Sequence, residues 1–131
     1  LTALTLPKLA TCPSPYVFLY DGCYYLLTVY NSWAGAEAAC NGHRANLATI
    51  YSAEVNNWIS VYYVLSSSFW IGYNDLDDEG VWRWADGSNG TFEMWANGEP
   101  SNSGEEDCAR KNNGGFTWND VSCTTAMYGL C

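Results

Sequence analysis

Positive charge is what this sequence has least of. Lys8, Arg44, Arg83, Arg110 and Lys111 stand against 14 acidic residues, and the formal net charge is −9. Five scattered cations cannot build the basic stripe that neutralises phosphates, which excludes nucleic acid as a partner. The same balance sets the chain against an anionic membrane surface. No apolar run approaches the roughly 18 residues of a membrane span, so no membrane insertion is expected. A Cys-x-x-Cys pair is also missing, which removes support for zinc-ribbon and thioredoxin-like readings. Histidine is nearly absent: His43 is the single one, and it follows Cys-Asn-Gly at an expected helix end beside Arg44. A capping or solvated role suits it better than catalysis. With no Gly-x-Ser-x-Gly pattern either, the chain lacks the base and the nucleophile that a hydrolase needs. It reads as no enzyme.

Apolar and aromatic residues are plentiful. They make up 48% and 16% of the chain, far too much for disorder, and 131 residues suffice for one domain, residues 1–131, with a genuine core. Six cysteines, Cys12, Cys23, Cys40, Cys108, Cys123 and Cys131, point to an oxidising compartment and a secreted, soluble protein. Spacing alone leaves 15 pairings open. The opening LTALTLPKLATC has neither a basic leader nor a continuous apolar stretch, and is expected to be mature sequence after signal removal.

Along the chain, residues 16–30 are rich in aromatic and β-branched types and broken by Asp21-Gly22, a hairpin signal. Ser32 precedes WAGAEAAC, which predicts a short helix ending near Asn41-Gly42. ANLATI, residues 45–50, is expected as a buried strand. Ser52 caps a second helix over 53–65, where Val55, Trp58, Ile59 and Tyr62 keep the helical apolar spacing. Val61, Tyr63 and Val64 widen that surface, leaving two readings: deeper burial in its own domain, or a subunit contact. FWIGYND, VWRWADGS, FTWNDVSC and TAMYGLC read as strands, whereas Gly87–Gly115 is too polar and glycine-rich for regular structure. Two helices early and a looped sheet late give an α+β domain.

The stretch NGEPSNSGEEDC, residues 97–108, gathers Glu99, Glu105, Glu106 and Asp107 just ahead of Trp118-Asn119-Asp120. Such hard oxygens are what calcium takes, six to eight at a time. With Trp70-Ile71-Gly72, Trp95, Glu99-Pro100-Ser101, Glu106-Asp107-Cys108, the Trp-Asn-Asp and the six cysteines, nearly the whole chain resembles a C-type lectin domain. It is most similar to the long form, of the invertebrate-type secreted lectins with Glu-Pro-Ser. The resemblance implies a fold of two helices, two small antiparallel sheets and a long calcium-organised loop region. It implies the disulfides Cys12–Cys23, Cys40–Cys131 and Cys108–Cys123; the second would close a loop of about 90 residues, worth ~4–5 kcal/mol in the chain-entropy model. It also implies a cis Glu99–Pro100 bond.

Carried over residue by residue, a sugar-site calcium would take Glu99, Ser101, Glu106, Asn119 and Asp120. An auxiliary calcium would take Asp75, Glu79, Asn102, Glu106 and Asp107, while Asp77 and Asp78 read as plain surface charge. Position 101 departs from the family's Asn or Asp: a serine hydroxyl either ligates on its shorter arm or leaves the place to water. Two vicinal hydroxyls of a terminal sugar would bind with Glu99 and Glu106 as acceptors, Asn119 as donor, Ser101 alongside and Phe116 as a stacking face. Trp70, Trp82, Trp84, Trp95 and Trp118 are expected in the core. Glu99 keeps the first acid of the mannose pattern, but Ser101 lacks the amide that one mannose hydroxyl needs. Some invertebrate relatives with a similar motif bind galactose, and galactose is the preferred expectation, mannose the alternative. A calcium-independent interaction or structural module is the further rival. Weak single sites favour a homo-oligomer, most simply a homodimer. Asn89-Gly90-Thr91 is a glycosylation sequon in an expected loop.

Overall fold

The aromatic run before residue 30 folds as a hairpin of β1 (Val17–Leu19) and β2 (Gly22–Tyr24), stapled by Cys12–Cys23. Its register pairs Leu19 with Gly22, so the turn residues are Tyr20 and Asp21, and Tyr20 takes the positive φ (59°). The Asp-Gly pair therefore straddles the turn and the second strand; it is not the turn itself. The computed structural model describes residues 11–131, and the expectation for the opening stretch lies, for its first ten residues, outside that range.

Both predicted caps are present. Ser32 accepts from Gly35 N (3.1 Å) at the head of α1 (Trp33–Gly42), and Ser52 accepts from Val55 N (3.2 Å) at the head of α2 (Ala53–Tyr62). α2 stops at Tyr62, earlier than the sequence suggests, with Tyr63 as its C-cap. Val55 and Ile59 are buried, but Trp58, Val61 and Tyr62 are exposed. Deeper burial of the whole apolar surface is not what the fold does.

Residues 45–50 are buried as a strand would be at Leu47, Ala48 and Ile50, yet they form no strand. The carboxylate of Glu37, from α1, takes Leu47 N (2.7 Å) and the Asn46 amide (2.8 Å) where a neighbouring strand would otherwise pair. Ala48 alone reaches both sides, to Leu130 O (2.7 Å) and from Gly72 N (2.9 Å). The approach of this segment to the sheet is so close that a Cβ on Gly72 would lie 2.5 Å from Leu47 O.

The second sheet runs β4 (Arg83–Trp84), β3 (Phe69–Asn74), β5 (Cys108–Lys111), β6 (Trp118–Val121), with β7 (Tyr128–Gly129) also pairing β3. The β3–β7 pair is parallel, so this sheet is mixed and not purely antiparallel as expected. β5 lies inside the stretch read as irregular. Arg110 and Lys111 disguise it, because β5 is central and buried on both faces. Lys111 is accommodated by donating to the carbonyls of Asn112 (2.8 Å) and Gly115, and burial pushes its ammonium down to about 8. Cys40–Cys131 and Cys108–Cys123 complete the implied pairing.

The core is aromatic. Trp70, Trp84 and Trp118 are buried, and Trp82 and Trp95 pack partly buried against them. The indole of Trp33 donates to Ile71 O (2.9 Å), that of Trp70 to Asn31 O (3.0 Å) and that of Trp118 to Asn56 Oδ1 (3.0 Å). Asn56, fully buried on α2, also donates to Phe116 O (2.8 Å), so one side chain clamps both sides of residue 117 and fixes where β6 begins.

Candidate functional site

β6 and β5 are antiparallel neighbours with Arg110 opposite Asn119, and Cys108–Cys123 ties their outer ends. This frame carries Asp120 on a buried position, facing the loop that descends from Glu99. The Glu99–Pro100 bond is cis. Ser101 N donates to Asp120 Oδ1 (3.0 Å) and Glu99 Oε2 (3.0 Å), and Asn102 N donates to Asp120 Oδ2 (2.6 Å). Two consecutive amides thus straddle one carboxylate. The Ser101 hydroxyl donates to Glu106 Oε1 (2.9 Å), which also accepts from Ser103 N (3.1 Å). Glu99, Ser101, Glu106 and Asp120 are therefore brought together around one short backbone segment.

A second acidic group lies on the other side of Asn102. Asp75, at the end of β3, is joined to Asp107 by its backbone N–H (3.0 Å to Asp107 O), and Gly80 N closes the intervening turn onto Asp75 Oδ2 (2.9 Å). One oxygen each from Asp75, Glu79 and Asp107 lies within 4.8 Å of the others. Asp75 Oδ1 and Asp107 Oδ1 are buried with no hydrogen-bond partner among the described residues. Buried carboxylate oxygens without a donor are costly, and a hard cation is the partner whose chemistry they fit. Asn102, held at φ 50°, donates its side-chain amide to Glu79 and its backbone amide to Asp120, so it bridges the two groups. Asp77 and Asp78 are exposed, as surface charge should be.

Asn119 is placed differently. Its Oδ1 accepts from Asn112 Nδ2 (2.7 Å), while Asn112 Oδ1 accepts from Arg110 Nε (3.1 Å). Arginine can only donate, so Arg110 fixes which way the Asn112 amide faces, and Asn112 in turn fixes Asn119. The Asn119 Nδ2 group is left directed away from Asn112. Neither Arg110 nor Asn112 was singled out from the sequence, because their roles depend on the β5–β6 register. Phe116, half exposed, lines a small cavity with Ser60, Val61 and Val64, which groups it with α2. His43 caps α1 through its backbone and is exposed.

The crowding appears in the acidities. A hydrogen bond shared with Asp120 holds Glu99 above the usual carboxylate range. Burial raises Asp75, helped by Asp107 beside it and opposed by Gly80 N–H. Burial, then Glu79, raises Asp107. Burial also pushes on Asp120, but hydrogen bonding with Glu99 and from the amides of Asn102 and Ser101 outweighs that and lowers it.

Two helices, two sheets, three disulfides and a loop region that gathers carboxylates define an α+β, disulfide-stapled domain. The Lectin C-type domain family matches residues 29–131, and the chain belongs to it. C-type lectin domain family 4 member M of Gorilla gorilla gorilla is 39% identical over 124 residues, which is 92% of this chain and 32% of that protein. This chain thus spans about a third of the curated relatives it matches. Among solved structures, the mouse scavenger receptor C-type lectin carbohydrate-recognition domain superposes with a TM-score of 0.85 at 32% identity, over 92% of this chain and 94% of that one. The cow CD23 C-type carbohydrate-recognition domain, crystallised in the presence of a GlcNAc2Man3 oligosaccharide, gives 0.83 at 30% identity, again over 92% and 94%. The family and fold are those of non-catalytic carbohydrate-binding domains, typically calcium-binding.

The raised pKa values give the cation-free protein its own pH response. Asp75, Asp107 and Glu99 bind protons more tightly folded than unfolded, so stability rises as pH falls through their raised values toward about 4. Asp120, being lowered, contributes only below that window. The melting temperature of calcium-stripped protein should therefore pass through a rise as pH is lowered from neutrality toward about 4, and in saturating calcium it should decrease as protons compete with the ion. A stripped protein that loses stability steadily over this range would show that the carboxylates are not crowded.

Proposed function

We propose that the chain binds terminal sugars of glycans through calcium, with galactose-type sugars preferred. The observation that carries this reading is the convergence of Glu99, Glu106 and Asp120 on Ser101, a set of hard oxygens gathered around one short segment. Glu99, Ser101, Glu106 and Asp120 would hold the sugar-site ion, with Asn119 reaching it through the second lone pair of the Oδ1 that also accepts from Asn112. Asp75, Glu79, Asn102, Glu106 and Asp107 would hold an auxiliary one, supported by the two orphaned oxygens of Asp75 and Asp107. Calcium, when bound, supplies coordination to two vicinal sugar hydroxyls. Glu99 and Glu106 would accept hydrogen bonds from those hydroxyls, and Asn119 Nδ2, not engaged by Asn112, would donate to one of them.

Position 101 decides the sugar. Its side chain offers a single hydroxyl, which donates to Glu106 and has no N–H for an equatorial mannose hydroxyl. A lost bond of this kind costs about 1 kcal/mol, and the shorter arm leaves room for a ring that presents an axial 4-hydroxyl. Mannose is the second reading, favoured by Glu99 and by the mannose-containing oligosaccharide of the CD23 relative. Three disulfides with no free cysteine support a secreted, extracellular location, and one domain over residues 1–131 remains our reading of its extent.

A galactose resin tests both levels. The protein should be retained in calcium, released by chelator and displaced by free galactose before free mannose. Retention that ignores chelator would favour a calcium-independent module, and displacement by mannose alone would overturn the galactose preference. The Arg110–Asn112–Asn119 chain gives a sharper test. In Asn112→Asp the new carboxylate can only accept, so the Asn119 amide must turn its Nδ2 inward and lose the sugar. Galactose affinity should fall about five- to tenfold, the equivalent of one hydrogen bond, with the fold intact by circular dichroism. Unchanged affinity would remove Asn119 as the donor.

A further inference from the structure

We propose that the outer face of α2 is the surface through which two copies of this chain join. Trp58, Val61, Tyr62, Val64 and Leu65 are 53%, 65%, 52%, 49% and 97% exposed, and Phe116, at 46%, adjoins Val61 and Val64 across a cavity of about 120 Å³. Trp58, Val61 and Tyr62 share a stripe of the helix, and the turn that ends it carries Val64 and Leu65 alongside. Val55 and Ile59 already serve the core, so α2 folds with one face and leaves a second apolar face in water.

Size and charge together select the occupant. The six residues together expose on the order of several hundred Å², toward the upper end of what a monomer leaves as one apolar patch and toward the ~800 Å² per partner of a standard interface. From Val55 to Asn74 the chain has no Asp, Glu, Lys, Arg or His, and residues 113–116 add none; Glu54 stands at the edge. The rest of the surface carries the net charge of −9. A basic partner would be drawn to the acidic loops and would find nothing to pair with here. A second copy, repelled by the acidic loops, approaches at low cost where charge is missing. Aromatic rings and aliphatic side chains lie beside a shallow apolar recess, a relief that two copies can share about a two-fold axis. The inference stands apart from the carbohydrate reading; combined with it, pairing makes a weak site bivalent.

Sedimentation velocity of the whole chain at about 50 μM should give a species of twice 14.5 kDa, a concentration at which a micromolar dimer is mostly formed. The dimer should persist in 1 M NaCl, because salt screens the repulsion between acidic copies and leaves apolar burial in place. Val61→Lys and Trp58→Lys should each sediment as folded monomers, with circular dichroism unchanged. If one of them fails to fold, the other and the wild-type salt series decide. A monomeric wild type, a dimer dissolved by salt, or a folded lysine variant that still pairs would overturn the proposal.

Discussion

Repulsion between carboxylates held at close quarters is the constraint on which the loop region depends. Asp75, Glu79 and Asp107 crowd one side of Asn102, and Glu99, Glu106 and Asp120 crowd the other. Left to themselves these acids would separate into water. The scaffold prevents it from three directions: Asp75 is bonded through its backbone to Asp107, β5 and β6 are laddered and cross-linked by Cys108–Cys123, and Asn56 locks the start of β6 against α2. The backbone amides of Ser101, Asn102, Ser103 and Gly80 satisfy some of the oxygens, and a divalent cation is the natural complement for the rest. An acidic cluster rigidly fixed in this way is preorganised, so little ordering is left to be done on binding.

The same economy of side chains links the site to the remainder of the molecule. Asn56 reaches from α2 to Trp118 and Phe116, one residue short of the Asn119-Asp120 pair. Lys111, buried without a carboxylate, holds the Asn112–Gly115 turn by its carbonyls and so steadies Asn112, which orients Asn119. The outer face of α2 and the carboxylate loops thus share a structural wall, although one surface is uncharged and the other densely acidic. In the dimer we propose, this division would let an acidic chain associate with itself while its loops stay free.

Much of this was legible in the sequence, for identifiable reasons. Both helix caps, the main strands and the acidic segments are signalled by local residue choice, and the three pairings of the cysteines followed from resemblance. What escaped is non-local. β5 looks like a loop because Arg110 and Lys111 are polar, and only a central position with carbonyls for the ammonium makes it a strand. Residues 45–50 look like a strand because they are apolar, but Glu37 occupies their hydrogen bonds. The exposed face of α2 and the Arg110–Asn112–Asn119 chain likewise depend on what lies opposite in space, which spacing does not encode.

Calorimetric titration of calcium into chelator-stripped protein at pH 7, beside the Asp120→Asn variant, tests the central claim most directly. The account predicts saturable binding in the wild type and at least about a tenfold loss in the variant, near 1.4 kcal/mol, since Asp120 is the carboxylate around which the Ser101–Asn102 segment is organised. No saturable binding below about 10 mM, beyond the range of weak extracellular sites, or equal affinity in a folded Asp120→Asn protein, would contradict it.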